Sequence, residues 1–183
     1  MDVSISNALW RLAGVLLLLV ANGIFVAIEF AVVSTRRSRI DELVEDDAAG
    51  AHLAQRVLQD PDRVLAAAQL GITMASLALG WVGEPFVADL IEPPLRLFPI
   101  GMWIDPSVLS HTVSAFIAFT LITSLHIVVG EQAPKLFAIG HAERTTIFLA
   151  PFILVFDKIF RPFINTLDRA TEGVLRLVGV PPM

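Results

Sequence analysis

Residues 12–33 read LAGVLLLLVANGIFVAIEFAVV, an apolar run interrupted by one amide, Asn22, and one carboxylate, Glu29. A helix rises 1.5 Å per residue, so this stretch reaches across a hydrocarbon core of about 30 Å. The competing reading is a secretory signal peptide, which calls for a basic start, a shorter apolar centre and a small-residue cleavage site. The chain instead opens Met1-Asp2, with Arg11 its first base and an apolar run too long for a signal. Residues 12–33 are therefore read as a membrane-spanning helix.

The rest of the chain repeats the pattern. Val64 to Val82 holds no charge, and Val108 to Gly130 holds none beyond what His111 or His126 carries. Both are read as further spans. Thr145 to Phe156 is shorter, broken by Pro151 and followed by Asp157, Lys158 and Arg161, which suits an amphipathic juxtamembrane helix. The composition agrees: 55% of the 183 residues are hydrophobic and 17% charged, against about 25% charged in an ordinary soluble domain. The expected fold is all-α integral membrane, with three transmembrane helices per subunit, a cytoplasmic helical hairpin and the amphipathic helix.

Basic residues set the orientation, because short cytoplasmic loops retain Lys and Arg. Arg36, Arg37, Arg39, Arg56 and Arg63 lie in the first connection, and Lys135, Arg144, Lys158, Arg161, Arg169 and Arg176 follow the third span. The second connection, from Gly83 to Ser107, has Arg96 against Glu84, Asp89, Glu92 and Asp105. The N-terminus is thus expected outside and the C-terminus in the cytoplasm. Within the first connection, helices are expected at Ser38 to Val44 and Ala48 to Leu58, parted by Glu45-Asp46-Asp47. In the second, Pro85, Pro93, Pro94, Pro99 and Pro106 predict a compact loop with short helices at most. One transmembrane domain over residues 1–178 is expected, with 179–183 beginning a linker to a cytoplasmic region that this sequence does not encode.

Several function classes drop out. The net charge is −5 and no Lys/Arg block is dense enough for a nucleic-acid footprint. Cysteine is absent, so thiolate metal sites and disulfides are excluded. No nucleophile–base pair or cofactor fingerprint appears, so the chain is not read as an enzyme.

Polar groups in a spanning helix need a partner or a task. Asn22 and Glu29 lie two helical turns apart on one face; Gln69, Thr73 and Ser76 share a face of the second span; Thr120, Thr123, Ser124 and His126 line the third. The sequence Gly130-Glu131-Gln132-Ala133-Pro134 is the most informative. Pro134 has no N–H and its ring collides with the carbonyl four residues back, so the Gly130 carbonyl loses its helical partner beside the Glu131 carboxylate. Broken membrane helices use such carbonyls as cation ligands. Carboxylate, carbonyl, amide and hydroxyl oxygens together suit a hard cation such as Mg²⁺, Ca²⁺ or Na⁺. Each candidate also has a plainer reading. Glu29 ligates or pairs with Arg36, Glu131 ligates or pairs with Lys135, the hydroxyls of Thr120, Thr123 and Ser124 ligate or serve packing, and His126 is a packing histidine.

Three stretches carry a family resemblance: Ala21 to Ala31, Gln69 to Thr73, and Val129 to Lys135. In this order on three apolar runs they resemble the transmembrane domain of the CNNM/CorC magnesium transporters. The resemblance implies a homodimer in the cell (plasma) membrane, surrounded by lipid, that binds Mg²⁺ and exports it against Na⁺ entry. It implies that Glu131 is the acidic ligand and Gly130 a backbone ligand. Asn22 falls where many relatives place Ser, Ser76 where animal members place Asn, and Val26 where a hydroxyl is common. Asn22, Ser76, Gly130, Glu131, Thr73, Glu29 and Ser124 are thus the candidate ligands. A different class of function is a non-transporting scaffold that senses Mg²⁺ for another transporter. Full-length members of the family continue into CBS nucleotide-binding modules, which this sequence does not contain.

Overall fold

The structure is a computed structural model and describes residues 5–95 and 106–179. Arg96, Pro99 and Asp105 of the expected outer loop, the opening Met1-Asp2, and residues 180–183 of the expected linker lie outside the described residues. Among the described residues seven α-helices follow in order: α1 (Ile5–Ser34), α2 (Arg37–Glu45), α3 (Ala51–Gln59), α4 (Pro61–Leu95), α5 (Pro106–Leu125), α6 (Ala133–Gly140) and α7 (Ala142–Leu177). A π-helical stretch, His126–Gln132, joins α5 to α6. No strand occurs among the described residues. Among the described residues three helices are long and apolar enough to cross a membrane: Ser6–Ser34, Pro61–Leu95 and Leu109–Gly140. The molecule is an all-α membrane domain.

Three expectations are corrected. The prolines of the second connection do not end the second span: α4 runs unbroken through Pro85, Pro93 and Pro94. Each proline removes one donor, whereas unwinding in lipid would strand many backbone groups, so the helix continues. The last helix is longer than the expected Thr145 to Phe156 and is not broken at Pro151; α7 passes through Pro151 and Pro162 and extends over Ala142–Leu177. The third span likewise runs past the Gly130 turn to Gly140.

The chain divides into two compact units, Met1–Val26 with Gly71–Leu136, and Ala27–Leu70 with Phe137–Met183. In the first, Val15 and Leu19 of α1, Leu79 and Phe86 of α4, and Ile122 of α5 form one buried cluster. Lipid is as apolar as these side chains, so close packing holds them, and small residues set the approach. A Cβ on Gly71 would stand 2.4 Å from the Phe25 ring, and one on Gly83 would stand 3.1 Å from Ile122. Arg11 and Asp89, both half-exposed, pair at 2.9 Å.

The second unit holds the hairpin α2–α3, clasped where Gln55 Nε2 donates to Asp41 Oδ1 at 2.8 Å. The Arg39 guanidinium titrates above its ordinary value because it is hydrogen-bonded to, and charge-paired with, Glu42. Gly50 opens α3 with φ at 82°, in the left-handed region where a side chain is strained. Helix α3 buries Ala51, Ala54, Val57 and Leu58 and packs on α7. The expected hairpin is therefore present, with each helix bound shifted by up to a turn. Ala27, Ala31 and Ala138 form a tight cluster flanked by Phe30 and Leu149. The hydroxyls of Thr35 and Thr146 meet at 2.8 Å, and Asp157 pairs with Arg63 at 2.7 Å.

Candidate cation site

Pro134 has no N–H to give to Gly130, four residues back, or to Val129, five back. The chain accommodates this with a π-helical stretch, in which the Ala133 N–H reaches the Val128 carbonyl, a five-residue step. Such wider turns recur at functional sites because they leave carbonyls aimed away from the helical ladder. Here the buried Gly130 carbonyl accepts the Asn22 Nδ2–H at 2.9 Å. Asn22 sits on α1 and is only 1% exposed, so both ends of its amide need partners. The other end is met by Ser76 of α4, whose hydroxyl donates to Asn22 Oδ1 at 3.0 Å.

The proton inventory then fixes a neighbour. Ser76 Oγ also lies 3.1 Å from His126 Nε2. Ser has one proton, already committed to Asn22, so the histidine must donate from Nε2. A single chain results: His126 to Ser76, Ser76 to Asn22, and Asn22 to the Gly130 carbonyl. Two glycines let these helices meet. A Cβ on Gly130 would lie 2.9 Å from His126 Cδ2 and 3.2 Å from Asn22 Nδ2, and one on Gly23 would lie 3.0 Å from Pro134 Cγ.

Asn22, Ser76 and Gly130, all expected from the sequence, are thus bonded to one another. Glu131 follows Gly130 directly and is exposed, with no hydrogen bond or ion pair among the described residues. The alternative Glu131–Lys135 pair is therefore not formed. Ser124 is exposed on α5, and Thr73 is exposed three residues before Ser76. Glu29 belongs to the other unit, where Gln69 Nε2 donates to it at 3.4 Å. Its alternative partner Arg36 lies instead 3.5 Å from Glu143. Thr120 bonds back to the Phe116 carbonyl at 2.9 Å, the packing reading of that hydroxyl.

Two residues carry more than the sequence reading gave them. His126 was expected to pack and is hydrogen-bonded into the group. Glu84 was expected in a loop, yet it is half-buried on α4. It lines a cavity of about 660 Å³ together with Ser76, Gly80, Thr123 and His126. The spacing 76, 80, 84 was the signal, since residues four apart share a helix face. Among the described residues no three His, Cys, Asp or Glu side chains gather in a way that could hold a metal ion, and the bonded polar group itself contains no carboxylate.

The family model for the cyclin M transmembrane N-terminal domain (CNNM) matches residues 13–183. The chain is 44% identical to the UPF0053 protein YhdT of Bacillus subtilis, over 93% of this chain and 36% of that protein. It is 40% identical to the UPF0053 protein YrkA of the same organism, over 91% and 37% respectively. It is 39% identical to the uncharacterized protein Rv1841c of Mycobacterium tuberculosis, over 91% and 46%. The chain spans between about a third and a half of the length of these relatives.

Proposed function

The chain belongs to the CNNM/CorC family of membrane proteins, and on that premise we propose that it carries Mg²⁺ across the cell membrane, outward and coupled to Na⁺ entry. The observation that carries this reading is the Gly130 carbonyl, freed by Pro134 and met at 2.9 Å by the buried Asn22 amide. An N–H group pointed at a freed carbonyl stands where a cation would stand. Turning the Asn22 amide by about half a revolution about χ2, a broad torsion, presents Oδ1 in place of N–H. Asn22 Oδ1 and the Gly130 carbonyl then offer two neutral oxygens, Ser76 Oγ holds the turned amide by accepting its N–H, and the Glu131 carboxylate is the charge. Retained water completes the near-octahedral set that Mg²⁺ demands at about 2.0–2.1 Å. One carboxylate with neutral partners holds the ion weakly enough for release on the far side. Thr73, Ser124 and Glu29 have no part in this four-residue core.

The protein is proposed to work as a homodimer, with its N-terminus outside, as transporter and not as enzyme. The dimer and both ions rest on the family; the orientation rests on Arg36, Arg37, Arg39, Arg56 and Arg63 in the first connection.

The test is Glu131→Ala in liposomes loaded with a Mg²⁺ dye, under an opposing Na⁺ gradient, alongside calorimetric titration in detergent. Mg²⁺ flux and binding are expected to be lost at an unchanged melting temperature, because Glu131 is exposed and makes no bond among the described residues. Unaltered Mg²⁺ binding would sink the site. Wild-type protein that binds Mg²⁺ but moves none under any Na⁺ gradient would assign the sensing scaffold instead.

A further inference from the structure

The second unit contains a cavity of about 660 Å³ that the cation reading does not use. Arg56 of α3, Arg63 of α4, and Lys158 and Arg161 of α7 line it, opposed by Asp60 and Asp157. The two carboxylates are already engaged. Asp60 Oδ1 accepts the Arg63 backbone N–H at 3.3 Å, capping the start of α4. Buried Asp157 is shared between Arg63 Nε at 2.7 Å and Arg161 Nη2 at 3.8 Å. Four cations against two carboxylates leave the cavity with an excess of two positive charges.

Hydrogen-bonding capacity is also unspent. Arg63 gives Nε to Asp157 and Nη1 to Asn165 at 3.4 Å, while its buried Nη2 has no partner. An unpaired charged donor shielded from water is costly, and a small turn of the guanidinium would offer it to an incoming oxygen. Planar guanidinium groups favour the oxygens of phosphate.

The location selects the source of that phosphate. Arg63 stands in the first turn of α4, a helix long enough to cross the membrane, so the cavity lies at a membrane boundary. Leu53, Pro151, Leu154 and Val155 complete its lining with apolar surface. On α7 the neighbouring Phe152, Val155, Ile159 and Phe163 are exposed, as suits a helix lying in the lipid interface. Basic pockets beside transmembrane helices hold anionic lipid headgroups. We propose that this cavity binds the phosphodiester headgroup of an anionic phospholipid, with Arg63 Nη2, Arg56, Lys158 and Arg161 on the phosphate and Leu154 and Val155 along the first carbons of an acyl chain.

Native mass spectrometry of the full chain, released from micelles holding equal phosphatidylglycerol and phosphatidylcholine, tests this. The wild type is expected to retain phosphatidylglycerol preferentially. Lys158→Gln with Arg161→Gln should weaken that retention about tenfold or more, and Arg56→Gln should weaken it from a different helix. Arg144→Gln with Arg169→Gln removes two exposed cations of α7 outside the cavity and should leave retention unchanged. The site is overturned if the Lys158 and Arg161 variant retains lipid as the wild type does, or if the control pair loses as much, which would mean general surface attraction. Displacement of the lipid by inorganic phosphate alone would assign free phosphate and overturn the lipid.

Discussion

Asn22 joins three helical segments through one amide: Gly130 accepts from its nitrogen and Ser76 donates to its oxygen. Asn22→Leu keeps the volume near and removes both bonds, leaving a buried carbonyl and a hydroxyl without their partners. The variant should lose about 1–3 kcal/mol of stability, the usual cost of unsatisfied buried polar groups. It should also lose Mg²⁺ binding in the same preparation. A thermal melt beside calorimetry checks both, and a variant that melts and binds like the wild type would remove Asn22 from the site. Asn22, Ser76 and Gly130 were legible in the sequence because an amide, a hydroxyl and a carbonyl opened by proline are anomalies in apolar helices. Their mutual bonding was not, since pairing across helices depends on rotation about each axis, which spacing along one chain leaves open. His126 was undervalued for the same reason: only its approach to Ser76, at 3.1 Å, gives it a task.

The π-helical stretch His126–Gln132 is the element on which the site depends, and Pro134 is its cause. Pro134→Ala restores an N–H and removes the ring that collides with the preceding turn. An ordinary α-turn can then close on the Gly130 carbonyl and compete with Asn22 for it. Stability should hold or rise, by up to about 3 kcal/mol, since interior proline is the least favourable helix residue. Mg²⁺ affinity should fall about tenfold or more, the equivalent of withdrawing roughly 1.4 kcal/mol of ligation. Calorimetry and a melt on one sample separate the two effects; a stabilised protein with undiminished affinity would show that the freed carbonyl is no ligand. The same proline chemistry misled the sequence reading elsewhere. Pro85, Pro93, Pro94 and Pro151 all sit inside continuing helices. A local rule treats proline as a stop, whereas each proline removes one donor and a long helix held by its neighbours can lose that bond and continue.

At the scale of the whole molecule, hydropathy alone located the three crossing helices, because length and apolar content are additive along the sequence. Orientation is a different quantity, written in the sidedness of Arg and Lys, and it yields a clean experiment because the chain has no cysteine. Ser6 at the start of α1 and Asp46 between α2 and α3 are both exposed, and in sequence they lie at the two ends of the first apolar run. Ser6→Cys and Asp46→Cys can therefore each be the single thiol of its variant. In intact cells a maleimide too polar to cross lipid should label Ser6→Cys at once. Asp46→Cys should react only after permeabilisation if, as proposed from Arg36, Arg37 and Arg39, that connection is cytoplasmic. The reverse pattern would invert the topology. It would place the cluster of Arg56, Arg63, Lys158 and Arg161 at the outer leaflet, away from the anionic inner surface that these charges fit.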